Sequence, residues 1–314
     1  MQEIDLVYLW VDGNDPVWKA RHDACIGKSE EGVGVNCKGR FADNDELKYS
    51  LRSVEMYAPW IRHIFIVTDS QVPAWLDVSN PKVSIVDHKD IMPEQALPCF
   101  NSRVIEHHLA NIPGLSERFI YANDDMMLNK PVDPDVFFAA DGFPIVRFNR
   151  RPFRKLTLWF KEKVQRQRLS NYVLAIKHTA ELVEKRYGRY FGGKTHHNMD
   201  AYLKSDCLRV REVFKPEIDA MLGNHERSAS DVQRNVYSYV PIAEHRAHLQ
   251  YVDRSTSFHL HIDNPEHFSK LDRYNPIFFC MNDSEYADDE DRMRAARFLS
   301  ERFPKKSSFE IIDS

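Results

Sequence analysis

The sequence predicts an α/β protein with a mainly parallel central sheet, flanking helices and a more helical second half. Three observations carry this. Short apolar runs alternate with helix-spaced segments from residue 4 to residue 124. Three of those runs end in acid, at Asp12, Asp69 and Asp124. Beyond residue 146, the stretches 147–168, 199–214 and 287–303 carry helical spacing with fewer strand signals.

The elements follow in order. "IDLVYLWV" (4–11) is a buried strand stopped by the turn signal "DGNDP". Residues 24–44 hold four glycines and no period, and read as a loop. "NDELKYSLRSVEMYAPW" (44–60) sets Leu47, Leu51, Val54 and Tyr57 on one helical face, with Asn44 or Asp45 as cap and Pro59 as stop. "HIFIVTD" (63–69) and "KVSIVDH" (82–88) are strands, "FNSRVIEHHLANIPG" (100–114) a short helix, and "RFIYAND" (118–124) a further strand. Parallel sheets bind ligands at the carboxyl ends of their strands. Three acids converging there suit a nucleotide or metal site, although Asn123, Asp124 and Asp125 are also ordinary turn residues. Residues 147–168 hold nine basic residues against the single acid Glu162, with Phe153, Leu156, Phe160 and Val164 on one face. Such a helix lies on an anionic membrane, grips an anionic acceptor, or simply covers the core.

At 314 residues, the chain suffices for one large domain or two small ones. Its 43% hydrophobic and 29% charged residues are those of a soluble globular protein. A net charge of −4 and a pI near 6.4 provide no basic field for nucleic acid. Five cysteines without a CxxC pair argue for reduced thiols and a cytoplasmic setting. The opening "MQEIDLVYLW" does not read as a signal peptide, and no run of apolar residues is long enough to span a membrane.

Four segments resemble the blocks of the Stealth family of bacterial polysaccharide phosphotransferases, relatives of the catalytic subunit of the lysosomal-enzyme GlcNAc-1-phosphotransferase. They are 4–16, the long run from Asp43 to Asp125, "HHNMDAYLKSDCLRVREVFKPEIDAMLGNHERSASDVQ" (196–233), and "FCMNDSEYADDEDRMRAARFLSERFPKKSSFE" (279–310). There are departures. The third block usually opens His-x-Pro, but Asn198 and Met199 follow His197, with His196 adjacent. Arg103 stands where His is usual, and Met281 replaces Leu in Cys-Leu-Asn-Asp.

The resemblance implies a nucleotide-diphosphosugar transferase-like (GT-A-like) fold: a nucleotide-sugar-binding core over 1–145, a basic helical insertion over 146–194, and a helical completion over 195–314. It implies transfer of a sugar 1-phosphate from a nucleotide sugar, with a UDP-linked N-acetylhexosamine such as UDP-GlcNAc as the expected donor. The acceptor is a glycan hydroxyl in capsule or exopolysaccharide synthesis, and nucleoside monophosphate leaves. Attack at phosphorus requires charge neutralisation, in-line positioning and a base. Mg²⁺ (or Mn²⁺) on Asp124 or Asp125, with Asp283 as a second ligand, would serve the first. Arg227 would face the phosphate, with Arg103 and Arg52 as weaker candidates. His197 and the other Asp of the pair compete as base. Asp12 and Gly13 would receive the nucleotide, helped by Asp69, Gln71, Asn101, Ser102 and Asn123; Asn101 or Ser102 could equally cap a helix. Two other readings remain open: a metal-dependent glycosyltransferase releasing nucleoside diphosphate, and an inactive carbohydrate-binding protein. The segment 147–168 is a candidate contact for the inner face of the cytoplasmic membrane.

Overall fold

The computed structural model describes residues 3–27, 45–284 and 286–311. Most of the expected loop 24–44, including the alternative cap Asn44, lies outside them.

Strands β1 (Ile4–Leu9), β2 (Ile64–Thr68), β3 (Val83–Asp87) and β4 (Arg118–Asn123) pair in parallel. β1 and β2 are buried on both faces, which is why they read as unbroken apolar runs. After a two-residue turn at Asp124 and Asp125 comes β5 (Met126–Leu128). β6 (Ile145–Asn149) and β7 (Lys194–Thr195) belong to a separate small sheet. β8 (Asp200–Leu203) pairs antiparallel to β4 and closes the central sheet in the order β3-β2-β1-β4-β8. β9 (His248–Tyr251) completes the order β7-β6-β9, while β10 (Ser257–His261) and β11 (Phe278–Asn282) join β5 as β10-β11-β5. The α/β expectation and the mainly parallel sheet are borne out.

The chain moves outward from β1 through β2 to β3, then returns to place β4 on the other side of β1. The carboxyl ends of β1 and β4 therefore flank a topological switch point, where open α/β sheets bind ligands. The helix Glu46–Tyr57 buries Leu47, Leu51 and Val54, each contributing about 1.5–3 kcal/mol. Between them Ser50 and Ser53 let it sit close to β5: Ser50 Oγ donates to the Met126 carbonyl at 2.5 Å, and Ser53 Oγ accepts from Leu128 N at 3.1 Å. Asp45 occupies the cap position in a left-handed conformation without a side-chain capping bond.

Three expectations need correction. The segment 100–114 is not one helix: it breaks into a helical turn at Ser102–Glu106 and a 3-10 turn at Leu109–Asn111. Residues 200–203 of the expected helix 199–214 form β8, and the helix runs only over Lys204–Val213. In 147–168, the first residues belong to β6, and only Arg154–Trp159 is α-helix, continued by a π turn over Phe160–Val164. The helix Asn171–Tyr187, capped by Ser170 and closed at Gly188 (φ 69°), falls in the stretch 146–194 expected to be helical, for which the sequence set no bounds.

Candidate active site

A cavity of about 500 Å³ opens at the carboxyl ends of β1, β2 and β4, a size ordinary for small-ligand sites. Several parts of the chain, far apart in sequence, build its walls. The end of β1 supplies Trp10, and that of β4 supplies Asn123 with the turn residues Asp124 and Asp125. The helical turn Ser102–Glu106 supplies Ser102, Arg103 and Glu106. β7 and the residues after it bring Lys194, His196 and His197, while β10 and β11 bring His259, Asn282 and Asp283. The loop before the helix Val236–Ala243 adds Arg227, Gln233 and Arg234.

The turn at Asp124 and Asp125 is fixed by its neighbours. Met281 N donates to the Asp125 carbonyl at 2.9 Å, and Asp125 N to Asp124 Oδ1 at 3.1 Å. Asp125 Oδ2 accepts from Cys280 Sγ at 3.0 Å and lies 3.6 Å from His197 Nε2. Its other oxygen, Oδ1, is buried with no hydrogen-bond partner. Burial pushes the Asp125 carboxyl up, but His197 and Cys280, with the more distant His259, outweigh it and hold it below the usual carboxylate value. The His259 ring, 5.7 Å from that of His197, is pushed down to about 4 by burial and by neighbouring cations.

The adjacent histidines separate cleanly. His196 is buried, edge-on to Phe278, with Nε2 3.5 Å from Asp200 Oδ1. His197 is half-exposed and faces Asp125. Asn198, which follows His197, donates to Ser257 Oγ at 2.7 Å and so ties this segment to β10.

Arg227 donates to Ser102 Oγ at 2.7 Å, while its Nε is buried without a partner. Burial lowers its pKa, opposed by the nearby Glu106. Arg103 lines the same wall, but its Nη1 is engaged by the Ser228 carbonyl at 2.6 Å and Asp231 at 3.2 Å. Behind it, Arg234 pairs with Asp200 and lies over the Tyr121 ring at 4.8 Å. The Tyr121 hydroxyl sits 3.0 Å from Glu106 Oε1 and 2.7 Å from Asn123 Oδ1, linking the helical turn to the end of β4.

The remaining expected residues are placed less centrally. Asp69 lines the cavity but is ion-paired with Arg21 at 3.1 Å. Gln71 clamps the turn after β1 from behind, accepting from Asp12 N at 3.1 Å and donating to its carbonyl at 2.9 Å. Neither Gln71 nor Asp12 nor Gly13 lines the cavity. Asn101 caps the turn Ser102–Glu106 and donates to Asp231 at 3.0 Å, the capping alternative. Arg52 does not line the cavity and is bidentate to Glu310 at 2.7 and 2.6 Å. Sequence reasoning missed Cys280, His259, Lys194, Glu106 and Arg234 as members of the site. Cys280 alone carried a signal, because it opens the Cys-Met-Asn-Asp stretch.

Asp125, His197 and Cys280 present ligand atoms within 4.8 Å of one another. A sulfur donor suits a softer ion than Mg²⁺, which prefers oxygen. Burial and the two carboxylates raise the Cys280 thiol well above its ordinary value, so it remains a proton donor to Asp125. The buried, unpartnered Asp125 Oδ1 is the feature that fits a hard cation. Asp283 fits less well, since both its oxygens accept from Arg292, at 2.9 and 3.1 Å.

Residues 2–30 match the model of Stealth protein conserved region 1, and residues 40–146 that of conserved region 2. The capsular polysaccharide phosphotransferase LcbA of Neisseria meningitidis is 33% identical over 90% of this chain and 77% of its own length. The chain belongs to the Stealth family. The exopolysaccharide phosphotransferase cps2G of Lactiplantibacillus plantarum is 51% identical over 45% of this chain and 41% of its own. CpsY of Mycobacterium tuberculosis, also an exopolysaccharide phosphotransferase, is 33% identical over 99% of this chain, which spans 58% of that protein. Among solved structures, the galactosyltransferase LgtC with donor and acceptor sugar analogues superposes with a TM-score of 0.47 at 10% identity, covering 98% of this chain and 97% of that one.

Proposed function

We propose that this chain transfers a sugar 1-phosphate from a nucleotide sugar, a UDP-linked N-acetylhexosamine being the expected donor, to a hydroxyl of a growing glycan. The product is a phosphodiester, and nucleoside monophosphate leaves. The names of the meningococcal, mycobacterial and lactobacillar relatives support this reaction class and a role in capsule or exopolysaccharide synthesis. The observation that carries the reading is the presence in one cavity of the Asp125–His197 pair and the buried cation Arg227.

In this reading His197 takes the proton of the acceptor hydroxyl as that oxygen attacks the β-phosphorus. Asp125, 3.6 Å from His197 Nε2, orients the ring and stabilises the imidazolium that forms. The bond from phosphorus to the bridging oxygen breaks, and the nucleoside monophosphate carries that oxygen away. Arg227 offers its unpartnered Nε to the phosphoryl oxygens, where water is scarce and the attraction is strong. A divalent cation, Mg²⁺ or Mn²⁺, would be held by Asp124 and by Asp125 Oδ1 and would neutralise charge on the diphosphate. Trp10, Trp18 and Phe100 also line the cavity and would offer aromatic faces to the nucleotide base.

The test is a panel of nucleotide sugars, incubated with Mg²⁺ and a glycan acceptor and analysed for the nucleotide released. Nucleoside monophosphate is the expected product. Nucleoside diphosphate would establish the glycosyltransferase alternative, and no turnover with any donor would favour a binding protein.

A further inference from the structure

The helix Arg154–Trp159 and the π turn after it are mounted with their apolar side outward. Leu158 is the residue that anchors them, 2% exposed. Before and after it, Phe153 is 79% exposed, Leu156 62%, Trp159 53%, Phe160 45% and Val164 54%. A helix that covered a core would bury this stripe; here the stripe lies in water. Around it, Arg151, Lys163, Arg166 and Arg168 are exposed and have no ion-pair partner among the described residues, whereas Lys155 is paired with Glu184 at 2.6 Å. The cations stand on a chain whose net charge is −4, so they form a local patch of opposite sign.

We propose that this segment is an interfacial anchor that lies on an anionic lipid bilayer, its aromatic and aliphatic side chains entering the headgroup boundary and its cations facing lipid phosphates. Large apolar side chains rimmed by cations are the composition of such anchors. No helix among the described residues is long and apolar enough to cross a membrane, so the contact is peripheral. A soluble polyanion would use the cations but has no need of five exposed apolar side chains. A second copy of the chain would bring the same cations against themselves. Neither competitor accounts for both halves of the surface, and a bilayer does. The inference is independent of the reaction proposed above.

The experiment is flotation of the full chain with vesicles of phosphatidylcholine alone and of phosphatidylcholine mixed with phosphatidylglycerol. The chain is expected to float with the anionic vesicles at low salt and to be released as salt rises. Phe153→Ser, Leu156→Ser and Phe160→Ser together should weaken that partition more than about tenfold, with the far-UV circular dichroism unchanged. Arg151→Gln, Lys163→Gln, Arg166→Gln and Arg168→Gln together should do the same for anionic vesicles. Equal flotation with both vesicle types would overturn the proposal, as would no flotation of the unmodified chain. Binding to soluble polyphosphate that survives the three serine substitutions, without vesicle binding, would assign the surface to a polyanion. Dimers that these substitutions abolish, again without vesicle binding, would assign it to a second copy.

Discussion

Asp125 holds one carboxylate oxygen between Cys280 and His197 and leaves the other buried without a partner. A residue kept for stability would have both satisfied, because an unmatched buried acceptor costs about 1–3 kcal/mol. Asp125→Asn and Asp124→Asn should therefore each lower kcat by about 10²-fold or more, the scale of a lost base or charge-stabilising group. Thermal unfolding should barely move. A variant that melts far earlier yet retains its specific activity would return the pair to a purely structural turn. The sequence offered the pair as either turn or site, and the structure has two turn residues at the end of β4 that face a cavity. His197 was chosen over His196 from its position in the family-like block, since burial is not written in a dipeptide. In the structure His196 packs on Phe278 and His197 faces Asp125.

Elements rest on contacts that pattern reading overlooks. Arg52 projects from the helix Glu46–Tyr57 and fastens the C-terminal segment through Glu310 and the Phe303 carbonyl, the latter at 2.8 Å. Its place in a long family-like block suggested donor binding; its partner lies 258 positions away, beyond the reach of any local signal. Burial pushes the Glu310 carboxyl up, but the hydrogen bonds from Arg52 and Ser307 outweigh this and hold it below its ordinary 4.5. A depressed folded value contributes stability that is present in full above about pH 4.5 and is lost as pH falls through the folded value. In Arg52→Met/Glu310→Leu, the urea midpoint should therefore fall less steeply below pH 4.5 than in the unmodified chain. An identical slope would show that the pair does not couple to acid unfolding. Glu310→Gln alone should cost about 3–5 kcal/mol, because it strands a buried guanidinium. The strand β8 was hidden for a related reason. Its Asp200 is a buried charge paired with Arg234, and a charge in a strand buried along its whole length interrupts the apolar run that marks such strands.

At the scale of the whole molecule, the parallel half was legible because β1, β2 and the middle of β4 are buried on both faces and its strands are followed by turn residues at one edge. The second half was not, because β7 through β11 are two to five residues long and take their meaning from partners far off in sequence. Those short strands deliver His197, His259 and Cys280 to the turn after β4, so the cavity is assembled by both halves. In the proposed reaction such an assembly moves a sugar 1-phosphate and not a bare sugar. The most direct measurement of this uses a nucleotide sugar labelled at the β-phosphorus, followed by separation of glycan from nucleotide. The label is expected to move into the glycan as an acid-labile phosphodiester, in proportion to the nucleoside monophosphate released. Label found only in released nucleotide, with sugar in the glycan, would contradict it.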